Sequence, residues 1–249
     1  MKRFNLLFLL TMAVVTITTA PGCFFNINDD GDGIFGCIDG SGPTVTQDIN
    51  LANFTGIDLQ MDADVFITQG NDQEVRIEGK QNIIDHIKRS VSGGIWEIDT
   101  DHCTRDRGDM KIFITIPDIT SLKISGSGRI TGQNTFVVGD IDLNISGSGD
   151  IDLGLQADDV TGKISGSGAI LLEGTGDELN MKISGSGDLN AFDMEFRNAF
   201  VEITGSGDAD VRVTDNLTVK ITGSGDVFYK GNPVLDVTIT GSGRVVNAN

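Results

Sequence analysis

One tripeptide constrains what this chain can fold into more than any other feature. Gly-Ser-Gly begins at Gly126, Gly147, Gly166, Gly185, Gly205, Gly223 and Gly241, at intervals of 21, 19, 19, 20, 18 and 18 residues. Each copy follows an Ile and then a Ser or Thr, and most precede a charged and then an aliphatic residue. Self-similarity at about twenty residues is the mark of a stacked repeat and outranks any local motif.

Around each copy polar and apolar residues alternate, as in Lys182-Ile183-Ser184 and Asp226-Val227-Phe228, which predicts short strands. Two glycines around a serine predict a tight bend, where positive φ or close backbone approach excludes a Cβ. A second polar turn closes each unit, at residues 156–159, 174–177, 214–216 and 230–233. Such a unit is too short for a crossover helix between parallel strands. It suits one coil of a β-solenoid, each coil pairing in parallel with the next at about 4.8 Å, so that the motif rows span about 30 Å. The general rule for parallel connections predicts a right-handed winding.

Stacking would place Ile124, Ile145, Ile164, Ile183, Ile203, Ile221 and Ile239 in one inward column. Beside it would run the hydroxyls of Ser125, Ser146, Ser165, Ser184, Thr204, Thr222 and Thr240. No coil buries enough apolar surface to fold alone, so the coils stand together. The expected fold is all-β: a right-handed parallel β-helix of Gly-Ser-Gly repeats with an atypical N-terminal capping region.

The front of the chain has other textures. Lys2 and Arg3 precede an apolar run to Ile17, and small residues lead on to Cys23, which predicts a signal peptide over residues 1–22. Ala20-Pro21-Gly22-Cys23 resembles a bacterial lipobox, with Pro21 an unusual member and Cys23 the lipid-bearing residue. The alternative is a soluble secreted protein in which Cys23 pairs with Cys37. If Cys23 carries lipid, Cys37 and Cys103 remain for one disulfide.

Residues 23–43 are Gly- and Asp-rich and are expected to form a tether. Within them Asn28-Asp29-Asp30-Gly31-Asp32 resembles the calcium loops of thrombospondin type 3 repeats, which would make Asn28, Asp30 and Asp32 ligands. An acidic linker is the competing reading. No cofactor other than this calcium is expected.

Residues 44–118 are expected to be the β-rich N-terminal part of the domain, and 119–249 the solenoid. Residues 54–65 align with 119–130 without a gap, with Met61-Asp62-Ala63 replacing Gly-Ser-Gly. Alternating segments follow at 74–78, 95–98 and 111–116. Residues 82–89 predict one or two helical turns with Ile83, Ile84 and Ile87 on one side. An atypical first unit would blunt an exposed end of the solenoid.

With these elements in order, the chain resembles the bacterial head GIN domain family of auto-transporter adhesins. The resemblance rests on Phe54-Thr55-Gly56-Ile57, on Val65-Phe66-Ile67-Thr68-Gln69-Gly70, on Asn82-Ile83-Ile84-Asp85-His86-Ile87 and on the Ile-Ser-Gly-Ser-Gly copies. It implies a right-handed β-helix akin to pectate-lyase-like folds, on an exported and often lipid-anchored protein. The chain departs from the family at Met61-Asp62-Ala63, where members often carry another Gly-Ser-Gly. The resemblance brings no catalytic residues with it.

Chemistry is sparse. The formal charge of -18 argues against a nucleic-acid partner. The glycines fit neither a dinucleotide fingerprint nor a phosphate loop, and their period is twice that of calcium-binding nonapeptide repeats. A β-helix hydrolase or lyase of the pectinase type needs paired carboxylates. Candidates are Asp158 with Asp159, or Asp188, Asp208 and Asp226 across coils, but His86, His102 and Cys103 all precede the solenoid. The latter three aspartates follow Gly-Ser-Gly directly and form a candidate surface binding strip, while Lys123, Lys163, Lys182 and Lys220 lead other copies. Like charges one coil apart repel by only about 1 kcal/mol in water, so a solvated face can carry either column without a bound ion.

The expected function is therefore a structural or adhesin-like, non-catalytic binding module at the bacterial outer membrane or cell surface. Its partner would be a surface polysaccharide or an envelope protein, and its membrane attachment would run through a lipid. The alternative is a polysaccharide-active β-helix enzyme.

Overall fold

The computed structural model describes residues 36–105 and 107–249. The signal segment, Cys23 and the calcium-like residues Asn28, Asp30 and Asp32 lie outside the described residues. One 18-stranded sheet wraps the body as a parallel β-solenoid, as the repeat predicts, and a two-stranded sheet joins Ile38–Asp39 to Thr104–Arg105.

Each coil has an incoming face, which leads into the Gly-Ser-Gly corner, and an outgoing face beyond it. On the incoming face Ile95–Ile98, Gly56–Leu59, Ser121–Ile124 and Ile141–Ile145 pair in parallel, in that spatial order. The ladder continues through Asp150–Ile164, Ala169–Gly185, Asp188–Gly205 and Ala209–Gly223 to Val234–Gly241. The outgoing face runs likewise from Lys111–Ile116 through Asp64–Gln69 and Arg129–Gly132 to Val227–Lys230 and Val245–Asn247.

This order holds a surprise at the N-terminal end. The coil at 56–69 is written first, yet it is sandwiched between the coil at 95–116 and the one that starts at Ser121. The degenerate copy over 54–65 is therefore second in the stack, and the later segment covers it. The end coil is blunted in turn by antiparallel additions. Glu74–Lys80 pairs with Lys111–Ile116, Thr44–Ile49 pairs with Glu74–Lys80, and Val91–Ser92 pairs with Ile95–Ile98. A single helical turn, Gln81–Ile84, buries Ile83 and Ile84, and Ile87 follows them inward. Such coverage satisfies a strand edge that would otherwise template aggregation.

The inward column is as expected for six of its seven members: Ile124, Ile145, Ile164, Ile183, Ile203 and Ile221 are all buried. Each contributes about 1.5–3 kcal/mol through removal from water. Ile239 is 40 % exposed, because Val234–Gly241 is the last strand of its face and nothing stacks beyond it. The hydroxyl column faces solvent, with Ser146, Ser165 and Thr204 exposed.

The glycines explain the spacing. At the corner each coil hydrogen-bonds the one before, with Ser186 N–H donating to Gly166 O (2.9 Å) and Ser206 N–H to Gly185 O (2.8 Å). Gly185 holds φ 134°, in the region that side chains avoid. Gly187 has ordinary φ, but a Cβ there would fall 2.5 Å from Ile164 Cγ2 and closer still to the Gly168 carbonyl oxygen. Both expected reasons for glycine operate: positive φ and close approach coincide at Gly185, where a Cβ would fall 2.5 Å from Gly166 O, and close approach alone acts at Gly187.

The second polar turns are corners rather than breaks. Gln156 pairs with Thr175 and Ala157 with Gly176 through the predicted turn, and Asn198 pairs with Asn216. The ladder resumes on both sides of each such corner, with single residues such as Asp158 and Arg197 left out of the pairing and a register shift between Phe196 and Asn198. Only 231–233 leaves the strands. No helix among the described residues is long and apolar enough to cross a membrane.

Candidate functional site

Stacking assembles Asp188, Asp208 and Asp226 into one column on the outgoing face. Their carboxylates are partly engaged: Asp208 N–H donates to Asp188 Oδ1 (2.9 Å), Asp226 N–H to Asp208 Oδ1 (2.7 Å) and Arg244 N–H to Asp226 Oδ1 (2.8 Å). Each aspartate thus accepts the amide of the residue just before the next outgoing strand. The Arg244 guanidinium ends the column by pairing with Asp226, and it holds that carboxyl below the usual range. Asp188 and Asp208 are both exposed.

The neighbouring outward column is Asp152, Leu171, Asn190, Asp210 and Phe228. Here the repeat length matters. The coil Asp188–Gly205 is longer than those on either side, and its ladder shifts register between Leu171 and Glu173 below and between Ala191 and Glu195 above. A bulge of this kind re-aims side chains. It sets Phe192 and Asp193 at the wall of a shallow groove lined with Asp152, Glu173, Asn190 and Asp210. Lys230 Nζ lies 4.3 Å from the Phe192 ring centre, a cation–π contact across coils. Burial pushes the Asp210 carboxyl up, with Asp208 and then Asp188 adding to the rise and Lys230 opposing it. The site is an acidic strip bordering a shallow groove, with the half-buried rings of Phe192 and Phe228 beside it.

The lysine column is not a column of like charges. In register it reads Asp58, Lys123, Asn144, Lys163, Lys182, Glu202 and Lys220. Lys123 pairs with Asp58 at 3.0 Å and Lys182 with Glu202 at 3.5 Å, which leaves Lys163 and Lys182 as the adjacent like charges. Asp158 and Asp159 sit exposed at a corner, where Asp158 N–H donates to Gly139 O.

The N-terminal cap holds a second cluster. Nδ1 of His86 and Nδ1 of His102 each lie 2.8 Å from Asp101 Oδ1, and the two rings meet edge to face at 4.7 Å. The His102 and His86 contacts hold the Asp101 carboxyl below its usual range. Next to it, Cys37 and Cys103 form a disulfide. This pairing differs from the Cys23–Cys37 alternative.

Asp210, Phe192 and Asp193 were not legible as site residues, although the longer 20-residue interval from Gly185 to Gly205 marked where the wall would depart from regularity. Asp101 was missed because its partnership with His86 spans a β-pairing, not a motif.

Several solved structures share this fold. A putative adhesin from Bacteroides fragilis matches with a TM-score of 0.79 and 24% identity, over 84% of this chain and 99% of its own. A putative adhesin from Parabacteroides distasonis matches at 0.69 and 25% identity, over 84% of this chain and 99% of its own. A putative lipid binding protein from the same species matches at 0.68 and 24% identity, over 85% and 99%. These relatives carry adhesin or lipid-binding names, not enzyme names. A comparison with curated proteins found no match. The family model described as "Putative auto-transporter adhesin, head GIN domain" matches residues 53–233, and the chain belongs to that family.

Proposed function

We propose that this chain is an exported, lipid-anchored envelope protein whose solenoid is a non-catalytic, adhesin-like binding module for a surface polysaccharide. The observation that carries the reading is the outgoing face, where Asp188, Asp208 and Asp226 recur at the coil repeat beside Asn190, Asp210, Phe192 and Phe228. Carboxylate oxygens accept hydrogen bonds from sugar hydroxyls, and the half-buried rings of Phe192 and Phe228 supply apolar surface beside them. The strong negative charge favours a neutral or cationic polymer over an anionic one. Family membership and the Cys37–Cys103 disulfide, a bond of oxidising compartments, support a place outside the cytoplasm. The lipid anchor rests on the sequence around Cys23.

A second reading, cleavage of such a polymer, draws on Asp210. Its raised carboxyl beside Asp208 is the kind of pair that divides acid and base roles.

The test is an array of bacterial surface glycans probed with the parent protein and with the triple variant D188N/D208N/D226N. Asparagine keeps the Oδ1 acceptor for the next amide and removes the charge. Binding by the parent that is lost in the variant supports the module. Equal binding by both would place the contact elsewhere. Release of new reducing ends or unsaturated products, abolished by Asp210→Asn, would favour the enzyme.

A further inference from the structure

The chain has two histidines in all, and the fold delivers both to one carboxylate oxygen. His86 follows the helical turn Gln81–Ile84. Asp101 and His102 begin the long connection between Ile95–Ile98 and Lys111–Ile116, where the neighbouring coil has only the short bend 60–63. Backbone contacts fix their placement. Asp101 N–H donates to His86 O at 2.9 Å, Ile87 bridges Thr100 in antiparallel fashion, and Thr100 Oγ1 donates to His102 O at 2.8 Å. The disulfide from Cys103 to Cys37 anchors the next residue. The convergence is therefore set by the cap's own architecture.

We propose that His86, Asp101 and His102 bind one divalent transition-metal ion of the zinc class, through the two imidazole Nδ1 atoms and a carboxylate oxygen. One ligand atom from each residue lies within 4.8 Å of the others. Two nitrogens and one oxygen suit zinc, nickel or copper, whereas calcium and magnesium take oxygen ligands. In a tetrahedral zinc site neighbouring ligand atoms stand about 3.3 Å apart. The present 2.8 Å contacts would each open by about half an ångström, which side chains at this surface can supply by small rotations. Each neutral ring moves its proton from Nδ1 to Nε2 by exchange with water, freeing the Nδ1 lone pair for the ion. Asp101 and His102 are more than half exposed, so water completes the coordination. The ion would tie the segment after the helical turn to the 99–110 connection. It would act as a second clasp beside the disulfide, at the end of the rod that the cap must keep closed.

The probe is ZnCl2 added to the purified protein after removal of metals with EDTA. The site predicts saturable binding of one zinc ion per chain, a raised thermal midpoint, and joint movement of both imidazole signals in a 1H–15N spectrum. CaCl2 and MgCl2 should leave both imidazole signals unmoved. Asp101→Asn and the double variant H86Q/H102Q should each weaken zinc binding at least tenfold while keeping the parent's far-ultraviolet spectrum in EDTA. Because the chain has only two histidines, the imidazole signals of the unsubstituted protein report on the site even if a variant misfolds. Absence of saturable binding at millimolar ZnCl2, binding that leaves either imidazole unmoved, or full affinity in a folded H86Q/H102Q protein would overturn the assignment.

Discussion

The carboxylate of Asp208 accepts the backbone amide of Asp226, one coil further on, at 2.7 Å. The same bond joins Asp188 to Asp208 and Asp226 to Arg244. An aspartate after Gly-Ser-Gly therefore has a stacking role as well as a charge, and the two can be separated. Asp208→Ala removes the acceptor and should destabilise the protein by about 1–2 kcal/mol. Asp208→Asn retains the acceptor and should stay within about 0.5 kcal/mol of the parent, as surface substitutions do. Equilibrium denaturation of both variants measures this, and equal losses would show that charge and not the bond is what matters.

Asp210 gives a pH dependence of known sign. Its carboxyl is raised in the folded protein, chiefly by burial, so the folded state holds its proton more tightly than the unfolded chain does. Ionised at neutral pH, the group costs stability, and the cost disappears as pH falls through the raised value and reaches the unfolded carboxylate range, about 4. Asp210→Asn should therefore raise the thermal midpoint at pH 7 and lose that advantage near pH 4. An advantage that persists unchanged at low pH would mean that packing, not ionisation, sets the difference.

Cys23→Ser should move the mature protein from the membrane to the soluble fraction. The expectation rests on Ala20-Pro21-Gly22-Cys23 and on the assignment of Cys103 as the partner of Cys37. Unchanged partitioning of the variant with membranes would remove the lipid anchor from the account.

The repeat made the fold legible because the same constraint is written seven times. A buried Ile column and glycine corners follow from identity and spacing alone, without long-range pairing information. The order of the first two coils did not follow. Pairing of Gly56–Leu59 with both Ile95–Ile98 and Ser121–Ile124 joins distant stretches, and the end coil replaces its corner with the connection that carries His102 and Cys103. Register was also needed to see Asn144 and Glu202 interrupt the lysines, which local sequence presents as a run of like charges. The site was half legible. Asp188, Asp208 and Asp226 were visible from their position, but the orientation that engages their Oδ1 atoms belongs to the stacked backbone. Asp101 was invisible beside His86 because fifteen residues and an antiparallel bridge separate them.

The central claim is that the Gly-Ser-Gly copies are the corners on which the coils stack, and valine at two equivalent glycines tests it most directly. A Cβ at Gly187 would meet Ile164 Cγ2 and the Gly168 carbonyl, and one at Gly243 would meet Ile221 Cγ2 at 2.7 Å and the Gly225 carbonyl. In both cases the clash is with the preceding coil, so the local insult is alike. Relief is not alike. The coil at Gly243 is last and can lift away at the cost of one row, whereas displacement at Gly187 separates two stacked halves. Equilibrium denaturation should show Gly187→Val losing at least about 3 kcal/mol, beyond the usual range for single substitutions, and Gly243→Val losing clearly less. Small and equal losses at both positions would contradict the account, since they would make the Gly-Ser-Gly copies surface loops that the stack does not need.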